Sequence, residues 1–267
     1  MKINKTKIKK IINNIIFPIS IIILMAIISW TTTFILTSSR AYYRFEFAKN
    51  NTVNKLHWVY EREDGIRVYK EYNSDELEII MNKIVDYMTN KTDDLQIVDD
   101  EGMNVFSNQA IYHMEDVKKL YNTWSIIIVI LIPILIGMII YIHKNIEEIS
   151  KTIKKQVIIT FSIIGFIFLI IAIGLIIDSA TTFIIFHHII FPRIADFNDA
   201  MFYPKSNYEE AYYINNLLLV KVLNLNVFID AGWIIISLLI IISALYVFLV
   251  VKKALKIQKN KSNLDIA

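Results

Sequence analysis

Three histidines and one aspartate are the residues of this chain best suited to proton chemistry at neutral pH. His113 and Asp116 stand three positions apart in "AIYHMEDVKKLYNTW" (110–124), and His187 and His188 are adjacent in "IFHHIIFP" (185–192). Imidazole titrates near physiological pH, so it can take a proton from one atom and return it to another. On a helix, a carboxylate three residues on can hold the ring's orientation and stabilise its protonated form. Taken alone, H-x-x-D is most simply a surface ion pair, a common and weak feature. His187 is different, because its neighbours are Phe183, Ile184, Phe186, Ile190 and Phe191. A titratable ring in an apolar belt is costly unless it serves a function. Neighbouring residues face different directions, so only one of His187 and His188 can enter a given site. His57, beside Trp58, reads as a packing or surface residue, and His143, beside Lys144, as a solvated one.

Other chemistries find little support. There is no G-x-S-x-G elbow, no Gly-rich phosphate loop and no H-E-x-x-H. The absence of Cys removes thiolate nucleophiles, disulfides and Cys-based metal sites. A zinc site built from His113, His187, His188 and Asp116 is conceivable, but two adjacent histidines rarely ligate one metal without strain. Neither a metal nor a cofactor is therefore expected. A metal-dependent lipid hydrolase is a weak alternative, and a non-enzymatic sensor or assembly factor with a partner-binding outer segment is a stronger one.

The elements that must position these residues follow from hydropathy. The chain has 267 residues, 55% hydrophobic yet 20% charged, with mean hydropathy +0.47. Four runs, at 17–38, 124–142, 157–177 and 232–251, lack Asp, Glu, Lys and Arg, and each is close to the ~20 residues a bilayer core requires. An α-helical integral membrane protein with four transmembrane helices is expected. The first run exceeds the apolar region of a signal peptide, which favours its retention as an anchor.

Charge orients the spans. The tail 1–16 has five Lys and no acid, the loop 143–156 four Lys against two Glu, and the tail 252–267 five Lys against one Asp. The segment 39–123 has 16 acids against 11 bases, and 178–231 has six acids against three bases. The positive-inside rule puts both termini and the 143–156 loop in the cytoplasm and the two acidic segments outside. The lysine clusters are thus topology signals, and no nucleic-acid partner is expected.

The first outer segment is long enough for a small mixed α/β cap. "HWVYEREDGIRVYK" predicts a hairpin turning at Asp64-Gly65. "NSDELEIIMNKIVDYMTN" predicts a helix with Asn73 and Glu76 in capping-box spacing and an apolar stripe of Leu77, Ile80, Ile84 and Met88. "LQIVDDEGMNVF" predicts a second hairpin around Glu101-Gly102. A helix near 107–123, capped by Ser107, should carry His113 into the second span, with Lys118 and Lys119 off the His113–Asp116 face. After the third span, 178–192 should extend outward as a helix or embedded strand until Pro192 stops it, and 206–229 should be an interfacial amphipathic stretch. If both extensions are helical, His113 and His187 each lie about 16 Å beyond a span end, at about 1.5 Å per residue.

Two of these segments carry a family pattern. "FSNQAIYHMEDVKKLY" (106–121) resembles the H-M-x-D-V-K helix of the lipoprotein intramolecular transacylases, bacterial membrane proteins of four spans. "IFHHIIFP" resembles that family's F-H-x-x-F stretch after the third span, and "TSSRAYYRFEF" (37–47) is similar to its segment after the first. The resemblance implies an acyltransferase of the bacterial cytoplasmic membrane with its site on the outer side. Its substrate would be a diacylglyceryl-modified lipoprotein among membrane lipids, whose sn-2 acyl chain moves to the α-amine of the substrate's own N-terminal cysteine, leaving a lyso-form lipoprotein. It makes His113 and His187 the catalytic pair, with Asp116 the residue proposed to orient His113.

Overall fold

The computed structural model describes residues 5–50, 57–61, 67–71, 73–98, 105–106, 108–178, 181–182, 185 and 225–264. In chain order they form α1 (Lys5–Thr37), α2 (Arg40–Asn50), β1 (His57–Glu61), β2 (Arg67–Glu71), α3 (Ser74–Met88), α4 (Asn108–Lys144), α5 (Ile146–Ser150), α6 (Ile153–Ile177) and α7 (Leu225–Leu264). Helices α1, α4, α6 and α7 contain stretches long and apolar enough to cross a membrane, at Thr6–Thr37, His113–Lys144, Ile153–Gly174 and Val227–Asn260. The α6 stretch is apolar around its whole circumference, with only 6% of its most apolar window buried. Such a helix is incompatible with water on its exposed face and suited to lipid. The protein is a multi-pass membrane protein.

The chain divides into two compact units. One comprises 1–31, 125–179 and 234–267, and the other 32–124 and 180–233. In the first, Ile16, Phe17, Ile21, Ile142, Ile146, Ile149, Ile153, Val250 and Ala254 form a buried apolar cluster. Several buried polar groups in this unit are paired, as an environment without water favours. The Asn13 amide donates to Glu148 at 2.6 Å and accepts from the Tyr141 hydroxyl at 2.9 Å, while Gln156 donates to the Asn13 carbonyl at 3.1 Å. Ser20 and Tyr246 share a hydroxyl hydrogen bond of 2.8 Å, and Gln258 donates to the Ser150 carbonyl at 2.8 Å.

The second unit has one antiparallel ribbon, in which His57 opposes Glu71 and Glu61 opposes Arg67. Its turn at Asp64-Gly65 lies outside the described residues, as do Ser107, Glu101-Gly102, Pro192 and most of 178–231. The Val105 amide does bond the Ile97 carbonyl at 2.8 Å across the Glu101-Gly102 segment. A mixed α/β cap is not borne out: among the described residues of this unit, the regular structure apart from the ribbon is helical. The physical reason is α2, which takes residues 40–50 into a helix started by a hydrogen bond from the Tyr42 amide to the Ser39 hydroxyl at 3.2 Å.

Helix α3 forms as its sequence dictates. Asn73 accepts from the Asp75 and Glu76 amides while Glu76 returns a bond to the Asn73 amide, all at 2.9 Å. Leu77, Ile80, Ile84 and Met88 are all buried. Past Met88 and the cap residue Thr89 the chain turns away at Asn90, whose φ of 59° is a left-handed conformation that Asn tolerates. Two ion pairs join α2 to α3, Arg40 with Asp86 at 3.0 Å and Arg44 with Glu78.

Candidate active site

His113 sits in the second turn of α4, one unbroken helix from Asn108 to Lys144. The continuity that the sequence required between the histidine helix and the second span is therefore present. The His113 side chain is half-buried, its Nδ1 atom buried, and the next residue, Met114, is 3% exposed. A ring so placed has one edge in the protein and part of its surface accessible, the arrangement a proton-transfer group needs.

The neighbouring side chains fix the helix more than they fix the ring. Asp116 accepts a hydrogen bond from Lys119 at 3.3 Å, so Lys119, expected off this face, reaches back one turn to the carboxylate. An i,i+3 pair of this kind is worth only a few tenths of a kcal/mol, roughly 0.2–0.5. Lys118 points away from Asp116, as expected. Its ammonium donates to the Thr92 carbonyl at 3.1 Å, pairs with Asp93 at 3.4 Å and lies 4.1 Å from the Tyr87 ring centroid. Burial pushes the Tyr87 hydroxyl up, with Glu115 and Asp93 adding to the shift. Two turns beyond His113, Tyr121 is buried. Its hydroxyl donates to the Phe34 carbonyl at 3.2 Å and shares hydrogen bonds with Thr37 at 3.1 Å and Ser38 at 3.0 Å. Its ring stacks on Phe34 at 5.1 Å. Tyr121 thereby anchors the histidine helix to the end of α1. Sequence reasoning passed over Tyr121, although its spacing of eight residues from His113 put it on the same helical face.

The His187 half is less determined. His187 and His188 lie outside the described residues. The chain leading to them does not continue as one straight helix: α6 ends at Ile177, and Asp178 turns extended with φ −154° and ψ 94°. Helix is described again at 181–182 and 185, and the height expected for His187 falls on residues outside the described ones. Asp is a poor helix former, because its short carboxylate competes with the backbone for hydrogen bonds. Among the described residues, no three His, Asp or Glu side chains gather as a metal set.

Comparison with known proteins decides the family. Residues 15–200 match the family model of Lit, the lipoprotein intramolecular transacylase. The chain belongs to that family. It is accordingly an acyltransferase, and the lipoprotein transacylase family acts on lipoproteins. The matched stretch includes both "HMEDVK" and "FHHIIF". No curated protein matches the chain. Among solved structures it is similar to the membrane-integral Lit of Bacillus cereus, at 17% identity and a TM-score of 0.57, covering 94% of this chain and 98% of that one. Two variants of that protein, each with a single histidine substituted, match alike. One has 18% identity, a TM-score of 0.58 and coverage of 95% and 97%; the other has 17%, 0.58, and 96% of each chain. At this level of identity the likeness establishes the fold.

Proposed function

We propose that this transacylase moves the sn-2 acyl chain of a diacylglyceryl lipoprotein onto the α-amine of the lipoprotein's N-terminal cysteine, using His113 and His187 as the acid–base pair. The observation that carries the reading is the family match over residues 15–200, which takes in both histidine segments. The active site lies on the outer side of the cytoplasmic membrane, a sidedness supported by the lysines of the two tails and the 143–156 loop. In this reading the outer segment 39–123 serves the headgroup region of the substrate and the apolar spans serve its acyl chains.

The chemistry follows from the bonds exchanged. An ammonium has no lone pair with which to attack an ester, so the amine must first be neutral. As its nitrogen forms the new bond to the acyl carbon, one histidine takes a proton from that nitrogen. The ester C–O bond then breaks, and the departing glycerol oxygen receives a proton from the other histidine. The ammonium's first proton leaves to water; from the neutral amine onward one N–acyl bond replaces one O–acyl bond, one histidine gains the proton the other gives up, and exchange with water restores both. Each histidine contributes on the order of 10²–10⁴-fold by general acid–base catalysis. Nucleophile and ester belong to the same molecule, so positioning supplies a further large part of the acceleration. Asp116 is assigned to orienting His113, as a carboxylate on its helical face able to favour the protonated ring.

The test is expression in a host whose lipoproteins are diacylated, followed by mass spectrometry of a lipoprotein N-terminus. The expected product keeps the mass of the diacyl form but fragments as an N-acylated cysteine bearing a monoacylglyceryl thioether. An unchanged N-terminus at full membrane expression overturns the proposal.

A further inference from the structure

A second group of titratable side chains, outside the proposed proton transfers, lies where α2 meets the beginning of α7. Glu46 on α2 is 1% exposed, whereas Phe45 beside it is 62% exposed. Polarity is inverted at these two positions, so the carboxyl group has been drawn inward for a reason other than solubility. Its Oε2 accepts from the Asn50 side-chain amide at 3.1 Å. Its Oε1 is buried and receives no N–H or hydroxyl donor among the described residues. The neighbouring group is Asp230 on α7, whose charge acts on Glu46 and whose partner Lys49 stands three residues on from Glu46 along α2. The Tyr42 hydroxyl donates to the Val227 carbonyl at 2.6 Å. On its other side, α2 presents Arg40 and Arg44, each already paired with an acid of α3.

Two carboxyl groups can hydrogen-bond each other only if one of them carries a proton, because an ionised carboxylate is an acceptor alone. Lys49 neutralises Asp230, and Glu46 has only a neutral amide on its other oxygen. We propose that Glu46 is the protonated partner and donates from Oε1 to the Asp230 carboxylate, forming a latch that holds the beginning of α7 to α2. Burial pushes the Glu46 carboxyl up, the charge of Asp230 adds to this, and Lys49 opposes it. Glu46 is thus a positioning residue. It fixes the place where the described chain resumes after the segment that bears His187. A consequence for catalysis rests on the two-histidine reading; the latch itself does not.

Because the folded-state value of Glu46 lies above that of the unfolded chain, its stabilisation is complete below the ordinary glutamate range. It is lost as pH rises through the folded value. Infrared difference spectra of the full chain in lipid nanodiscs, wild type minus Glu46→Gln, should show a protonated-carboxyl C=O band that persists as pH is raised above the ordinary glutamate range. In Asp230→Asn that band should shift or disappear at lower pH, because its acceptor has changed from a carboxylate to an amide and the charge that holds Glu46 protonated is gone. The wild-type melting temperature should fall with rising pH over the interval in which the band disappears, and Glu46→Gln should lack that component. Absence of the band, or its persistence in Glu46→Gln, overturns the latch. If Glu46→Gln does not fold, the Asp230→Asn spectra decide, and a band unchanged in position and in pH range overturns it. All these spectra are read without substrate, so failure of the transacylase test leaves them standing.

Discussion

At the residue scale the decisive question is what His113 does on α4. Its half-buried ring and buried Nδ1 atom suit a base or acid whose orientation is held by protein on one side. If the pair works as proposed, His113→Ala and His187→Ala each abolish lyso-lipoprotein formation while the protein still inserts in the membrane. Mass spectrometry of a reporter lipoprotein checks both, and normal product from either variant sinks the two-histidine mechanism. Asp116 calls for a subtler test, because its observed partner is the Lys119 ammonium. Asp116→Asn should slow the reaction without stopping it and should move the acid limb of its pH profile, because a carboxylate near an imidazole favours the charged ring. Lys119→Met is the control: it removes the observed ion pair, and an equal loss of rate there would assign the effect to helix surface charge instead.

At the element scale, α3 is the most completely specified part of the second unit. Its capping box and apolar stripe are both formed, so their contributions can be separated by melting experiments on the purified protein. Asn73→Ala removes the acceptor for two amides and should cost about 1 kcal/mol. Ile84→Ala, at a site only 2% exposed, should cost about 2–5 kcal/mol. Ile79→Ala, at 58% exposure, should stay within about 0.5 kcal/mol. A different order of melting temperatures would mean that α3 is not packed as described. This helix was legible from sequence because its signals are local: a cap at fixed spacing and an apolar residue every three or four positions. Helix α2 was not, because one of its two buried residues is Glu46 and an exposed one is Phe45, the reverse of the pattern a periodicity argument seeks. A lone carboxylate between two aromatics, as in "RFEF", was the available clue. The run of the chain beyond the third span was not legible for a related reason. Hydropathy marks where a span ends but not the direction the chain takes afterwards, and at Asp178 it turns extended.

At the scale of the whole molecule, the four apolar stretches and the family pattern were legible from sequence because length and charge segregation are properties of entire segments. The proposed arrangement of sides rests on the same charges and can be tested directly. The chain contains no cysteine, so each introduced cysteine is the only thiol in the protein. Ser74→Cys and Lys205→Cys fall in the two acidic segments, and Lys151→Cys and Lys261→Cys in the lysine-rich loop and tail. In intact cells a membrane-impermeant maleimide should label Cys introduced at 74 and 205 and leave those at 151 and 261 untouched until the membrane is permeabilised. The reasoning is energetic: a basic segment is retained on the cytoplasmic side, whereas acidic residues contribute little to orientation. Three lysine-rich regions agree in sign, so reversing any one of them should not invert the protein. Labelling at 151 or 261 in intact cells would place the lysines outside. It would also put His113, near the opposite end of α4 from Lys144, on the cytoplasmic side, where a lipoprotein substrate exposed at the outer face could not reach it.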